Sequence, residues 1–342
     1  MRLISILTAI LSLTLSVACN HHAADEELVV FSGLTQGTTY NIKLRLPAEI
    51  KDRPSINRGI EAILENVNRT MSTYQDDSEL SVINRTMTTV FIPISESLSK
   101  LLVVALEVSE FTTGAFDITV GQLVNLWGFG AEKSSDGIPT QSQIDLALTR
   151  TGYKKIMLAF NPPTLGKSDS NIYLDLSGIA QGYTADIIAT YLDKLEIKNY
   201  MIEIGGEIRA RGLNADGLTW RIGIEKPVAD RRQVERIIQL DNLGMSTSGD
   251  YRNYFEIDGK RYSHIIDPVT GWPVAHDLVS VTVLDPSTAR ADALTTALIV
   301  MGPDKGFEFA ENHGITAMFI IRHADVFTEK YTGAFEACLI DR

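Results

Sequence analysis

The chain has 342 residues, 44% of them hydrophobic, and a formal net charge of −12. That apolar content supports a large core, in one big domain or two. No Lys/Arg run exceeds the pair Arg231-Arg232. Nucleic-acid backbones require basic patches, so no nucleic-acid partner is expected. Any phosphate this acidic chain handles must be neutralised locally, by a metal ion or a helix N-terminus.

The first 18 residues read as a targeting segment, with Arg2 as the only charge ahead of an apolar run too short to span a membrane comfortably. Ser16-Val17-Ala18-Cys19 resembles a bacterial lipoprotein cleavage box, with Leu15 one place earlier than usual. The expectation is a signal peptide over 1–18, a lipid on Cys19 as the first mature residue, a tether over 19–27 and a domain over 28–342. The alternative is ordinary secretion with cleavage near Ala18 or Ala24. Either way the protein is exported, and with a lipid on Cys19 it sits on the periplasmic side of the inner membrane. Cys338 then has no intrachain partner, so no disulfide framework is expected and Cys338 reads as a small packing residue.

Residues 28–33 and 39–46 read as strands. Ile56, Ile60, Ile63, Leu64, Val67 and Met71 recur at helical spacing, with Ser55 placed to cap. Leu98 to Phe111 repeats that pattern and Gly114 stops it, ahead of a loop-rich stretch to Gly137. Residues 156–160 and 171–176 read as a strand pair joined by a Pro/Gly/Ser-rich loop, and 179–195 as a helix. Residues 201–204, 208–212 and 220–225 continue the sheet. Asp258-Gly259 is a hairpin turn between 255–257 and 261–263. A strand over 279–284, helices over 289–301 and 303–313 and a strand over 315–321 close the chain. Interspersed strands, helices and hairpins predict an α+β, or mixed α/β, fold with largely antiparallel sheets and packed helices.

The chemistry-bearing residues gather in a few segments. Met245-Ser-Thr-Ser-Gly-Asp-Tyr-Arg252, His264-Ile-Ile-Asp-Pro-Val-Thr-Gly271 and Ala291-Asp-Ala-Leu-Thr-Thr-Ala297 collect hydroxyls, carboxylates, one histidine and turn glycines. Asp292 and Thr296, four apart on one helix face, offer hard oxygen ligands suited to Mg²⁺. An Asp among Ala293, Leu294, Ala297 and Leu298 is expensive to bury unless it is paired or ligates a cation; a solvated Asp with a back-bonding Thr is the plain alternative. Asp175-Leu-Ser-Gly-Ile-Ala-Gln-Gly-Tyr-Thr-Ala-Asp186 runs from a strand end into a helix, where Ser177 can cap and free N–H groups near Ile179 to Gln181 suit a phosphate or a metal-bound carbonyl. His264 beside this hydroxyl-rich run favours acid–base work or phosphate contact, with Asp250 or Asp267 near enough to help. Glu203-Ile-Gly-Gly-Glu207 and Gly37-Thr-Thr-Tyr40 set glycines against polar side chains at strand ends, for close approach to a ligand or simply for tight turns.

Taken in order, these segments resemble the ApbE family of flavin transferases. The resemblance runs from Gln36-Gly-Thr-Thr-Tyr40 through Met71-Ser-Thr-Tyr74, Thr113-Gly-Ala-Phe-Asp-Ile-Thr-Val-Gly121 and Asn125-Leu-Trp-Gly-Phe-Gly130 to the Asp292 helix. It implies transfer of FMN from FAD to a threonine or serine of an exported acceptor, such as a periplasmic domain of a redox-driven membrane pump, with AMP released. It also implies that Gln36, Tyr74, Ala115, Phe116, Asp117, Asp175, Gln181 and Ile266 line the FAD site. Mg²⁺ falls to the Gly178 carbonyl, Asp292 and Thr296, and His264 matches the histidine implicated in transfer. Gln36 stands where many relatives have Met, and Gln181 where many have Lys. FAD pyrophosphatase activity, a flavin-storing lipoprotein and a stabilising Ca²⁺ site are the alternatives.

Overall fold

The computed structural model describes residues 26–47, 52–132, 137–227, 233–250, 253–324 and 326–340. The signal segment and Cys19 lie outside the described residues. β1 (Glu26–Thr35) and β2 (Thr38–Pro47) make a hairpin whose turn residues Gln36 and Gly37 both have positive φ, 50° and 73°, as a two-residue type I′ turn requires. Glu26 and Glu27, assigned to the tether on sequence, belong to β1, paired with Arg45 and Arg53.

α1 (Arg53–Met71) buries Ile56, Ile60, Leu64, Val67 and Met71. Its cap is Asp52, not Ser55: Asp52 accepts the Ser55 N–H at 3.2 Å. Pro54 in the first turn places the helix start earlier than the apolar spacing alone suggests. α2 (Glu79–Arg85), β3 (Ile92–Pro93) and α3 (Glu96–Phe111) follow. The stretch read as loop holds α4 (Gly121–Leu126), and α5 (Gln141–Arg150) comes after it. Neither carries a long apolar repeat; α5 buries only Ile144 and Ala147.

β4 (Ile156–Ala159) pairs with β5 (Thr164–Lys167), not with 171–176. The latter stretch is extended, with Ile172, Leu174 and Leu176 buried, but it joins no ladder. The Asn84 amide does the ladder's work: its Nδ2 donates to the Leu174 carbonyl at 2.9 Å and its Oδ1 accepts the Leu174 N–H at 2.8 Å. Period-2 burial predicts extension; it cannot say whether a strand or a side chain satisfies the backbone.

α6 (Ala180–Lys194), β6 (Tyr200–Ile204) and β7 (Glu207–Arg211) come next. β8 (Trp220–Glu225) pairs with β9 (Val234–Leu240) as a separate ribbon and does not extend the sheet. β10 (Leu243–Gly249) returns to the sheet. β11 (Tyr254–Ile257) and β12 (Lys260–Ser263) form the expected hairpin over Asp258-Gly259. β13 (Leu278–Asp285), α7 (Thr288–Met301), α8 (Pro303–Asn312), β14 (Thr316–His323), β15 (Val326–Tyr331) and the turn of helix α9 (Gly333–Glu336) complete the chain.

The main sheet has the order β1-β2-β6-β7-β10-β13-β14-β15, so its eight strands lie side by side in the order the chain delivers them. Every neighbouring pair is antiparallel. Both faces are covered. Val281, Val283, Ala317 and Phe319 face α3, α7 and α8, while Ile42, Leu44 and Ile202 face α1 and α6. The opposite face buries Met201, Ala210, Met245, Val279 and Met318 under the β8–β9 ribbon and Phe335, with Cys338 packed at its margin. A fourth cluster joins Leu123, Trp127 and Ile144 to Tyr262 and Ile266, fixing the β11–β12 hairpin over the end of the sheet where the cleft opens.

Candidate active site

The cleft is positioned by two helices that cap each other. Asp186 on α6 accepts from the Ser287 hydroxyl and from the Thr288 and Ala289 N–H groups at 2.9–3.1 Å, satisfying the orphan donors that begin α7. In return Asp292 on α7 accepts the Gly182 N–H at 3.1 Å, in the first turn of α6. Each helix dipole thus meets a carboxylate of its neighbour. Ser177, expected to cap α6, instead donates its own N–H to the Asp175 carboxylate. The Ile179 and Ala180 N–H groups bind the Leu176 carbonyl. The start of α6 is therefore filled by protein groups, and Asp292 sits where a phosphate was expected.

Asp292 and Thr296 line a cleft of about 380 Å³ together with Ala115, Phe116, Asp117, Asp175, Gly178, Gln181, Glu207, His264 and Ile266. The Gly178 backbone lies against Thr296: a Cβ there would come within 3.2 Å of the Thr296 hydroxyl and 3.4 Å of the Phe116 ring. A second hollow of about 610 Å³, lined by Gln36, Val67, Met71, Tyr74 and Gln181, shares Asp175, Ser177 and Gln181 with the first. Gln36 is fixed on α6 by a 2.9 Å bond to the Thr184 hydroxyl. Tyr74 is 72% exposed, its ring free to meet a ligand. The expected flavin-site residues and the expected cation residues therefore line two hollows that adjoin along a shared wall.

The histidine has a defined tautomer. His264 Nδ1 lies 2.9 Å from the Asn253 carbonyl, which can only accept, so Nδ1 carries the proton and neutral His264 leaves Nε2 as a base. Burial lowers its pKa, while the bond to Asn253 opposes that shift. The structure does not bring Asp250 or Asp267 to this ring. Asp250 is buried between Arg261 and Arg322, at 3.8 and 3.9 Å. Asp267 closes its own turn, accepting from the Val269 N–H and the Thr270 hydroxyl, both at 2.9 Å. Asp117 lines the cleft but is already held by the Thr119 N–H and hydroxyl and by the Tyr153 N–H.

Two buried acids dominate the electrostatics. Asp292 is 5% exposed, and burial pushes its carboxyl up to about 7. Glu207 is 7% exposed and is held well above the ordinary range by burial and by the charge of Asp292. Glu207 was flagged on sequence only as the end of a glycine turn; the signal that could have found it is an acid placed directly after Gly205-Gly206. No Lys or Arg stands among the described residues that line the cleft. Among the described residues no three His, Cys, Asp or Glu converge into an all-protein metal cage. Thr296, the Gly178 carbonyl and the acids form an oxygen-only donor set, which fits a hard divalent cation that also draws ligands from substrate.

A sequence model described as the ApbE family matches residues 36–319. The chain belongs to the ApbE family. Over 333 residues it is 45% identical to the FAD:protein FMN transferase of Vibrio cholerae, covering 97% of this chain and 98% of that one. It is 37% identical over 321 residues to the Escherichia coli FAD:protein FMN transferase, covering 92% and 90%. The solved flavin transferase ApbE from Vibrio cholerae superposes with a TM-score of 0.85, covering 92% of this chain and all of that one, at 44% identity. The apo Pseudomonas stutzeri flavinyl transferase ApbE gives 0.83 at 39% identity, covering 92% and 97%. The eight-stranded antiparallel sheet and its helical cover are thus an ApbE fold.

Proposed function

We propose that this protein transfers FMN from FAD to a threonine or serine hydroxyl of an exported acceptor protein, with Mg²⁺, releasing AMP. The observation that carries this is a cleft lined by Asp117, Asp175, Glu207 and Asp292, with no Lys or Arg among its described lining residues, adjoining a hollow that could take the rest of a dinucleotide. A pyrophosphate cannot rest beside four acids unless a cation accompanies it. Held by the Gly178 carbonyl, Asp292 and Thr296, Mg²⁺ would draw charge from the phosphates and the departing AMP. His264 Nε2 accepts the proton of the attacking hydroxyl. The hydroxyl oxygen bonds to the FMN-side phosphorus, the bond to the bridging oxygen breaks, and AMP leaves with that oxygen. Tyr74 and Phe116 grip the flat rings.

The apolar run before Cys19 supports export and lipid anchoring at the periplasmic face, where subunits of redox-driven pumps present acceptor domains. Incubation with FAD, Mg²⁺ and such a domain is expected to raise the acceptor's mass by one FMN group, read by mass spectrometry. An unlabelled acceptor with FAD still bound would overturn the reading. FMN and AMP formed without any acceptor would instead mark water as the nucleophile.

His264→Ala is expected to slow transfer by about 10²- to 10⁴-fold with FAD affinity unchanged, since only proton removal is lost. Because the His264 pKa is lowered from 6.5, the wild-type rate at saturating Mg²⁺ should stay level down to pH 6.5 and fall only below it. His264→Ala should lose that acid limb in a pH–rate profile.

Metal affinity carries a second pH signature. Asp292 must shed its proton to bind a cation, so affinity should rise as pH climbs through about 7. The same raised value means that the metal-free fold is favoured by protonation, and its stability declines between the unfolded carboxyl range near 4 and about pH 7. Calorimetric titrations with Mg²⁺ from pH 6 to 8 check the first statement; a pH-independent affinity would contradict it.

A further inference from the structure

Glu207 is the first residue of β7, directly after Gly205 and Gly206, whose φ values of 68° and 118° suit glycine alone. That tight turn brings the strand's first side chain to the cleft wall. The side chain is more than nine-tenths buried, and its Oε2 has no hydrogen-bond partner. The Ser246 hydroxyl lies against the carboxyl groups of both Glu207 and Asp292, so the two acids occupy one corner of the cleft. A buried carboxylate oxygen left without a donor is costly. No Lys or Arg lines the wall among the described residues, so the charged form of Glu207 calls for a cation from solution, and the neighbouring Asp292, Thr296 and Gly178 offer it further oxygens.

We propose that Glu207 is a further ligand of the divalent cation, its Oε2 completing the donor set begun by Gly178, Asp292 and Thr296. This rests on the cation reading above and deepens it: the site becomes a two-carboxylate one, able to hold Mg²⁺ or Mn²⁺ before FAD arrives. With only one carboxylate, a carbonyl and a hydroxyl, tight binding would need the substrate's phosphates.

The test uses the mature chain stripped of metal, without FAD. Free Mn²⁺ is followed by electron paramagnetic resonance during titration, and the Tm is recorded with and without Mg²⁺. Glu207→Gln keeps the shape and removes the charge. It is expected to weaken Mn²⁺ binding about tenfold or more and to shrink the Mg²⁺-induced rise in Tm. Glu207→Asp, with a shorter reach, should fall between Gln and wild type, and it decides the matter should the Gln variant fail to fold. Either variant binding Mn²⁺ as tightly as wild type would overturn the role of Glu207 alone. A lower Tm by the same amount with and without Mg²⁺, at unchanged affinity, would likewise make Glu207 a packing residue. Wild type that binds no Mn²⁺ would overturn the cation reading and this inference with it.

Discussion

Asp292→Asn is expected to abolish flavin transfer while leaving the fold nearly intact. The carboxylate has two tasks. Its Oδ2 accepts the Gly182 N–H at 3.1 Å, and on the proposed reading its charge would hold a cation beside Thr296 and the Gly178 carbonyl. An asparagine oxygen can still accept the Gly182 N–H, so the cap at α6 survives. A group held at about 7 is already half neutral at physiological pH without metal, so a neutral amide in that place costs the metal-free fold little. Transfer should fall by about 10³-fold, on the order of 4 kcal/mol of lost stabilisation of phosphoryl charge. Mass spectrometry of the acceptor gives the rate, and thermal melts with and without Mg²⁺ give the fold and the metal response. Transfer within tenfold of wild type would remove Asp292 from the chemistry. Alanine is the less informative choice, because it removes the helix cap together with the charge.

Gly182→Ala is expected to damage both the fold and the cleft, because it forces apart the two helices that hold Asp292. A Cβ at Gly182 would lie 2.4 Å from the Thr288 carbonyl oxygen, 2.7 Å from its carbon and 2.9 Å from the Ala289 nitrogen. All three are backbone atoms, so no rotamer relieves the contact; α6 and α7 must part. Parting them breaks the three bonds that Asp186 receives from α7 and the one that Asp292 receives from α6. It also carries Asp292 and Thr296 away from Gly178. The expected cost is roughly 2–4 kcal/mol, combining overpacking with weakened caps, and transfer should drop with it. Urea unfolding should show a lower midpoint at an unchanged slope. An alanine variant within about 0.5 kcal/mol of wild type would show that the two helices tolerate separation.

Much of the architecture was legible because it is written locally. Positive φ at Asp258 and Gly259 is what the hairpin turn signal demands, and the apolar spacing of α1, α3, α6 and α7 survives into the fold. Hydrophobic patterning marked residues 171–176 and 220–225 as extended. It was silent on their partners: one takes the Asn84 side chain, the other a separate ribbon. Short α4 and α5 lacked a repeat long enough to register, and Pro54 moved the α1 cap to Asp52.

The family motifs carried the cleft residues further than periodicity could, and Gln36, Tyr74, Phe116, Gln181, His264, Asp292 and Thr296 all line one or other of the two adjoining hollows. What sequence proximity suggested for His264 did not follow. Asp250 and Asp267 are close in the chain, yet arginines and a turn claim them, and a backbone carbonyl sets the tautomer.

The sequence by itself determined the long helices, the tight hairpins, the turn glycines and the chemical inventory of hydroxyls, acids and one histidine, because these depend on φ, ψ and patterning within a few residues. Only the tertiary structure decided which acid meets which helix end. Asp186 and Asp292 reach partners about a hundred residues away, and Glu207 comes to Asp292 through neighbouring strands and a packed helix. Such pairings arise from burial and backbone satisfaction across the whole core, a global constraint that no window of sequence contains.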